Sequence, residues 1–160
     1  MDIIDIKNNE KYLEEYCRLC NLEWEHSKSN IEMNDYTQNK KEKILKGDKV
    51  ISILGLVNND VLIGFISLFK YDGDERKDLT PWYATMYVKK EYRRMGYSKI
   101  LNDNLIAEAI KLGYDKVYLK SDLVNYYEKF GAIYMEDLMC GEKLYYINCI
   151  PKKDSSVKLK

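Results

Sequence analysis

A predicted strand gives way to a predicted helix within the segment Val88-Lys89-Lys90-Glu91-Tyr92-Arg93-Arg94-Met95-Gly96-Tyr97-Ser98. Residues 81–89 begin with a proline and are rich in the aromatic and apolar side chains typical of a strand. Apolar residues recur at helical spacing over 98–112, and Gly113 ends that pattern. The sequence therefore predicts a strand, a short basic turn and a helix N-terminus in immediate succession.

The turn between them has the chemistry of an anion-binding site. The first backbone amides of a helix lack partners inside the helix, and the helix dipole places partial positive charge there. Gly96 leaves room for a diphosphate next to the backbone, while Arg93 and Arg94 add positive charge. The segment contains neither GxxxxGKS/T nor GxGxxG, so a Walker loop and a Rossmann site are not expected.

Shorter patterns on both sides of this unit predict the remaining elements. Before it, we expect a strand at 2–6, helices at 10–25 and 35–45, and strands at 50–57 and 61–71 joined by a turn at 58–60. After it, we expect a strand at 116–119, a short helix at 122–130, and strands at 133–138 and 143–150 that turn near 140–141. This order predicts the fold class: an α/β (α+β) protein with a central mixed, mostly antiparallel sheet flanked by about four helices.

Length and composition indicate one globular domain. The 160 residues correspond to a single domain at about 150 residues per domain; we place it at residues 1–150 and expect 151–160 to form a frayed polar tail. Lys and Arg number 26, as do Asp and Glu, so the net charge of zero gives no indication of a nucleic-acid or membrane partner. The first residues lack the regions of a signal peptide and no apolar run reaches bilayer length, so we expect a cytoplasmic protein.

Two of the four cysteines, Cys17 and Cys20, form a CxxC motif. The motif lies inside the predicted helix 10–25, where residues three apart share one face. We therefore expect two buried thiols. A zinc site would need two further ligands and a redox pair would stand at the start of a helix, so no metal is expected.

Residues 93–98 resemble the signature of the GNAT superfamily of acetyl-CoA-dependent N-acetyltransferases, Q/R-x-x-G-x-G/A between a strand and a helix. The signature reads Arg93-x-x-Gly96-x-Ser98 here, with a serine where the family prefers Gly or Ala. Three further segments match one group of these enzymes in order and spacing: Gly64-Phe65-Ile66-Ser67-Leu68, Thr80-Pro81-Trp82 and Asp122-Leu123-Val124-Asn125-Tyr126-Tyr127-Glu128-Lys129-Phe130-Gly131. The resemblance covers roughly residues 50–138 and implies the GNAT fold.

The resemblance also implies that acetyl-CoA is the acetyl donor. In the family, the strand before the signature pairs through its backbone with the pantetheine arm, and the signature turn holds the pyrophosphate. A β-bulge near Met86 would separate two strands and open a slot for the thioester, and an amide there would support the oxyanion. The residues that correspond to the cofactor site are Met86, Tyr87, Val88, Arg93, Arg94, Met95, Gly96, Tyr97, Ser98 and Lys99, with Asp122 as a further candidate.

Tyr127 matches the family's general acid. Acetyl transfer expels a CoA thiolate, and a phenol near the sulfur can protonate it. Without the resemblance, Tyr127 would be interpreted as a core residue, because it lies three positions before Phe130 on one face of the predicted helix. Tyr126 would face elsewhere on that helix, and Asp122 would be its N-cap.

The sequence does not identify the general base. An attacking amine must be neutral, and many family members use a carboxylate or a water chain that reaches the strand before the signature. That strand contains Tyr83 and Thr85 but no Asp or Glu. The other candidates are Glu23, Glu25, Glu32, Asp35 and Glu136, for each of which a solvated surface position is the default.

We therefore predict an N-acetyltransferase that moves an acetyl group to a primary amine of a small molecule or peptide, by direct attack in a ternary complex. The acidic residues near Trp24 and Tyr36 suggest a cationic acceptor such as a polyamine or an aminosugar. Two alternatives stay open: a non-catalytic acyl-CoA-binding module on the same fold, and a protein-interaction domain with a vestigial cleft. GNAT relatives are often dimers, and an exposed strand edge at 143–150 would be one way for two copies to pair.

Overall fold

The computed structural model describes residues 1–149, which form seven strands and three α-helices. In chain order they are β1 (Asp2–Asp5), α1 (Glu10–Cys20), α2 (Asn30–Leu45), β2 (Val50–Asn58), β3 (Val61–Phe69), β4 (Trp82–Val88), α3 (Tyr97–Lys111), β5 (Lys116–Ser121), β6 (Ile133–Asp137) and β7 (Lys143–Asn148). Short 3-10 turns occupy Ile6–Asn8, Lys90–Tyr92 and Tyr127–Phe130, and one π-helical turn, Asn21–Glu25, follows α1. The tail predicted at 151–160 lies outside the described residues.

All seven strands belong to one sheet in the order β1-β2-β3-β4-β5-β7-β6. Every neighbouring pair is antiparallel except β4 and β5, which are parallel and are connected by α3. A parallel pair needs a long crossover connection, and α3 supplies it. The predicted mixed, mostly antiparallel sheet is confirmed, and the basic turn lies where the chain leaves the sheet for the crossover.

Two apolar clusters hold the helices to the sheet. Leu13 and Tyr16 of α1 pack with Trp82 in one cluster, whereas Leu101 of α3 packs with Tyr83 in the other. Successive side chains of a strand point to opposite faces, which is why Trp82 and Tyr83 fall in different clusters. Helices α1 and α2 therefore cover one face of the sheet, and α3 covers the other.

Helix α1 ends, and helix α2 begins, at a residue different from the one predicted. Helix α1 ends at Cys20, and the chain continues as a π-helical turn until His26, whose φ of 56° stops it. Helix α2 begins at Asn30 instead of residue 35, because the Ser29 side chain accepts a hydrogen bond from the Glu32 amide at 3.1 Å. Apolar periodicity does not detect this helix start, because the first residues of α2 are mostly polar.

The predicted helix at 122–130 is wrong, since only Tyr127–Phe130 are helical, as a single 3-10 turn. Asn125 has a left-handed backbone with φ of 58°, which a right-handed helix does not tolerate. Asp122 is therefore not a helix N-cap. The sheet is flanked by three α-helices among the described residues, not by about four.

The C-terminal end of the sheet also differs from the prediction. Strand β7 pairs with β5 on one side and with β6 on the other, so the strand edge expected at 143–150 is occupied over Lys143–Asn148. The outer strands are β1 and β6. The suggestion that two copies pair through 143–150 is therefore wrong.

Cys17 and Cys20 are buried free thiols, as the helical position of the CxxC motif predicts. Burial raises the pKa of Cys17 to about 11 and that of Cys20 to about 12, so both are protonated near neutral pH. Within residues 1–149, no helix combines the length and apolar character needed to cross a membrane.

Gly64 lies where β3 passes closest to β4. A Cβ atom at this position would lie 2.5 Å from the carbonyl oxygen of Tyr87 and 3.1 Å from the Cα of Val88. Because both are backbone atoms, a side chain fits only if β4 moves. We predict that Gly64→Ala lowers the free energy of unfolding by about 1–3 kcal/mol in urea denaturation.

Gly55→Ala in β2 is the matched control. The nearest neighbours of a Cβ at Gly55 are side-chain atoms of Ile6 and Leu62, which can rotate away. We expect the free energy of unfolding to fall less in this variant than in Gly64→Ala. An equal fall in both variants would contradict a specific close approach of β3 and β4.

Candidate functional site

Strands β4 and β5 are adjacent for only one residue pair, Trp82 with Tyr118. The Tyr118 amide also donates to the carbonyl of Pro81 at 3.0 Å. Beyond this point, towards Met86 and Val88, the two strands separate. The separation opens a slot through the sheet, and the residues that were predicted from the sequence as functional lie around it.

A β-bulge in β4 lies at the start of this slot. Phe65 pairs with Tyr87 and Ser67 pairs with Ala84, so the single residue between them on β3 faces two residues on β4, Thr85 and Met86. Thr85 has a φ of 48°, a rare and strained conformation for a β-branched residue. A bulge increases the local twist and bends the strand, which accounts for the departure of β4 from β5.

A buried hydrogen-bond network holds Thr85 in this conformation. The Tyr16 hydroxyl lies 3.0 Å from Oγ of Ser67 and 3.4 Å from Oγ1 of Thr85, and the Thr85 hydroxyl also donates to Ser67. Tyr16 and Ser67 are fully buried, so an unpaired hydroxyl at either would be costly. The network joins α1, β3 and β4 at the bulge.

One cleft of about 660 Å³, here called the turn cleft, lies between the end of β4 and the start of α3. Nine of the predicted site residues line it: Met86, Tyr87, Val88, Arg93, Arg94, Gly96, Tyr97, Ser98 and Tyr127. Met95, Lys99 and Asp122 do not. Met95 is 61% exposed, the Lys99 ammonium lies 2.7 Å from Asp103, and Asp122 lines a different cleft.

The N-terminus of α3 faces the turn cleft through Gly96, Tyr97 and Ser98. Gly96 is the N-cap residue with a φ of 83°, and no side chain caps the first turn. Its amides and the helix dipole therefore remain available to an anion. Arg93 is held beside them because its Nε donates to the Val88 carbonyl at 2.8 Å and its guanidinium lies 5.6 Å from the Tyr87 ring centroid.

A second cleft of about 670 Å³, here called the helix cleft, extends from the slot to the π-helical turn and α2. Trp24 and Tyr36 are among its aromatic residues, and Trp24 packs edge-on to Tyr87 with ring centroids 6.4 Å apart. Carboxylates outnumber ammonium groups along its walls. They are Glu23, Glu25, Asp72, Asp122 and Glu142, against Lys40, Lys49 and Lys120.

The two clefts meet at four residues that line both, here called the junction: Glu23, Met86, Leu123 and Tyr127. Burial and the neighbouring Tyr126 raise the pKa of Tyr127 to about 12, so its phenol is protonated near neutral pH. The rings of Tyr126 and Tyr127 pack with centroids 4.7 Å apart, and both line the turn cleft, so Tyr126 does not face elsewhere as predicted.

Tyr83 is a residue at this site that the sequence left without a role. Its ring packs edge-on to that of Tyr127 with centroids 5.9 Å apart, and its hydroxyl is buried with no hydrogen-bond partner among the described residues. Burial raises the pKa of Tyr83 well above its ordinary value. The network of Tyr16, Ser67 and Thr85 was also missed, because it joins residues that are distant in sequence and carry no local signal.

The five carboxylates that the sequence offers as candidate bases lie in different places. Glu23 lines both clefts, whereas Glu25 lines the helix cleft and an outer groove. Asp35 lines only that outer groove. Glu32 accepts a hydrogen bond from the Lys28 amide at 2.8 Å, and Glu136 forms an ion pair with Arg76.

Among residues 1–149, no group of three or more His, Cys, Asp and Glu side chains is arranged to hold a metal ion.

The profile of the acetyltransferase (GNAT) family matches residues 11–132 of the chain. No curated protein sequence matches it.

Several solved structures share the fold. An aminoglycoside 6'-N-acetyltransferase complexed with coenzyme A superposes with a TM-score of 0.70 at 17% identity, over 95% of this chain and 99% of the other. The ribosomal-protein-S18-alanine N-acetyltransferase of Escherichia coli superposes with a TM-score of 0.62 at 14% identity, over 94% of each chain. The PaiA N-acetyltransferase of Thermoplasma acidophilum, complexed with coenzyme A, superposes with a TM-score of 0.58 at 23% identity, over 92% and 99%.

The network at the bulge predicts the effect of removing one hydroxyl. Thr85→Val preserves shape and β-branching but deprives the buried Ser67 and Tyr16 of a partner. We expect the free energy of unfolding to fall by about 1–3 kcal/mol in urea denaturation. Thr85→Ser retains the hydroxyl, so its free energy of unfolding should fall clearly less than that of Thr85→Val. An equal fall in both variants would show that the hydrogen bonds do not hold the bulge.

Proposed function

This chain belongs to the acetyltransferase (GNAT) family of N-acetyltransferases, and we propose that it transfers the acetyl group of acetyl-CoA to a primary amine by direct attack in a ternary complex. The observation that supports this best is the meeting of two clefts at Tyr127. One cleft has the features of a cofactor site and the other has the features of an acceptor site. A transfer between two bound substrates requires such a meeting point.

The turn cleft suits acetyl-CoA. The uncapped N-terminus of α3, with Arg93 and Arg94 beside it, provides amides and positive charge for the pyrophosphate. Met86–Val88 have left β5 and can offer backbone groups to an extended pantetheine arm. We propose that the amides of residues 94–99 hold the pyrophosphate and that the thioester reaches the junction. Two structures of the same fold are complexed with coenzyme A, which supports coenzyme A as the ligand of this fold.

The chemistry then takes place at the junction. A neutral amine attacks the thioester carbonyl carbon, and the C–S bond breaks as the new C–N bond is completed. A backbone amide at the Thr85–Met86 bulge would stabilise the oxyanion. The leaving thiolate takes the phenolic proton of Tyr127, which burial keeps on the oxygen until then. The raised pKa keeps the proton on the phenol near neutral pH but also makes the phenol a weaker acid. The same burial disfavours a free thiolate, and this second effect favours transfer of the proton to sulfur.

The helix cleft supports a cationic acceptor. Its five carboxylates exceed its three lysines, and the exposed Trp24 ring can attract a cation, whereas the Tyr36 ring already has the Lys40 ammonium 5.7 Å from its centroid. The acceptors named for structures of the same fold, an aminoglycoside and a ribosomal-protein alanine, are both amines. We propose a small-molecule or peptide amine that carries positive charge, with a polyamine or aminosugar as the first candidates.

The two alternatives from the sequence predict different behaviour. A non-catalytic acyl-CoA-binding module would bind acetyl-CoA without turnover, and an interaction domain would not bind it. Tyr127 packs against the core but also lines both clefts, and this position favours the enzyme. The cytoplasmic location and a homodimer stay predictions.

Gly96→Glu tests the cofactor site. A Cβ at Gly96 would meet nothing within 4 Å, so the glutamate would extend into the turn cleft, where the pyrophosphate is proposed to bind. We expect wild type to bind acetyl-CoA in calorimetry and Gly96→Glu to bind at least about tenfold more weakly, an effect of about 1.4 kcal/mol.

Two controls separate charge from backbone strain in this experiment. Gly96→Gln carries the same φ strain without the charge and should bind more tightly than Gly96→Glu. Gly113→Glu places the same residue on another glycine with positive φ and open surroundings, at the far end of α3, and should leave affinity unchanged. If wild type binds neither acetyl-CoA nor CoA, the proposed function is wrong.

Tyr127→Phe tests the general acid. We expect kcat to fall by about 100-fold, while the dissociation constant of acetyl-CoA changes little because the packed ring is retained. CoA release is followed with a thiol reagent, using spermidine, kanamycin and a peptide with N-terminal alanine as acceptors. Tyr134→Phe, on the outer strand β6, is the control and should retain wild-type kcat. Retention of kcat in Tyr127→Phe would exclude the acid role.

A further inference from the structure

The reaction proposed above requires a base as well as an acid. An amine acceptor is largely protonated near neutral pH, and the nitrogen carries a positive charge after it attacks, so a proton must leave the nitrogen. The bulged part of β4 has no carboxylate with which to accept it, since its residues at the slot are Thr85 and Met86. A side-chain base would therefore come from another element that reaches the junction.

The junction has only two titratable side chains among the described residues. Of the four residues that line both clefts, Met86 and Leu123 are apolar, and the others are Tyr127 and Glu23. The phenol is the proton donor for the sulfur. We propose that Glu23 is the general base that removes the proton from the acceptor amine, an inference that rests on the proposed function.

The other carboxylates near the site do not share this position. Glu25, Asp72, Asp122 and Glu142 line the helix cleft but not the turn cleft. A base must reach the nitrogen at the moment when that nitrogen reaches the thioester. Only a group at the meeting point of the two clefts satisfies this condition, because the acceptor enters from one cleft and the thioester from the other.

The π-helical turn that carries Glu23 is fixed on both sides. Asn21, which is fully buried, donates from Nδ2 to Oγ of Ser27 at 2.7 Å and accepts from the Ser27 amide at 3.3 Å. Trp24 packs edge-on to Tyr87 of β4. The turn is thereby closed by a side-chain clamp and attached to the strand that borders the slot. Single π-helical turns are rare and occur often at functional sites.

The proposed step balances in protons and electrons. The amine lone pair forms the C–N bond, and the C–S bonding pair leaves with the sulfur. A protonated acceptor first loses one proton through Glu23 to solvent, which frees its lone pair. In the transfer itself, one proton moves from the nitrogen to the Glu23 carboxylate, and one moves from the Tyr127 phenol to the thiolate. Afterwards Glu23 releases its proton to solvent and Tyr127 regains one from solvent, so that an amine and acetyl-CoA give an amide and CoA with both side chains restored.

Glu23→Gln tests the assignment, because it removes the charge and preserves the shape. Turnover is measured with spermidine, which is strongly basic, and with hydroxylamine, which is weakly basic and largely neutral near pH 7. We expect kcat to fall by about 100-fold with spermidine and by less than about tenfold with hydroxylamine. The acetyl-CoA dissociation constant and the urea midpoint should stay close to those of wild type.

Two further variants show whether the effect is specific. Glu25→Gln, from the same turn, should raise the KM of spermidine without lowering kcat, because Glu25 lines the acceptor side only. Glu42→Gln removes an exposed carboxylate of α2 that lies outside both clefts and should behave as wild type.

The possible outcomes decide between roles for Glu23. A selective loss of kcat with the strongly basic amine supports the base. A rise in KM alone, or equal losses with both amines, would overturn it in favour of binding or a structural role. If wild type transfers acetyl groups to no amine, the proposed function itself fails and this inference fails with it.

Discussion

The separation of β4 from β5 is the constraint on which the rest of the site depends. Two parallel neighbours that stay paired would close the sheet and leave the two clefts unconnected. Here they share one residue pair, and the bulge at Thr85 and Met86 turns β4 away. The strained backbone of Thr85 persists because Tyr16 and Ser67 hold its hydroxyl from within the core. Helix α1 therefore contributes to the geometry of the slot between β4 and β5, although both strands are distant from α1 in sequence.

The clefts on the two sides of the slot differ in chemistry in a way that suits two substrates. The turn cleft has arginines and a helix N-terminus, which favour phosphate groups. The helix cleft has an excess of carboxylates and the exposed ring of Trp24, which favour a cation. Opposite charges in adjacent clefts would disfavour each proposed substrate in the cleft proposed for the other. At the junction, burial and the neighbouring Tyr126 raise the pKa of Tyr127, whereas Glu23 and Leu123 are exposed to solvent.

Much of the fold could be predicted from local sequence signals. The strands at 50–58 and 61–69, the basic turn and helix α3 each follow from periodicity and from Gly96 and Gly113, and the order of elements gave the sheet type. The helix predicted at 122–130 failed because a left-handed Asn125 interrupts an otherwise helical pattern. The strand edge predicted at 143–150 was wrong because sheet order depends on long-range pairing that no local pattern encodes. The role of Glu23 could not be ranked, since it depends on a π-helical turn that brings an acidic loop to a distant slot.

A crystal structure of the protein with coenzyme A would test the proposed cofactor site most directly. We expect the pyrophosphate at the N-terminus of α3, the pantetheine arm along Met86–Val88, and the sulfur at the junction within hydrogen-bonding reach of the Tyr127 hydroxyl. A sulfur atom that lies away from Tyr127, or coenzyme A bound outside the turn cleft, would contradict the proposed site.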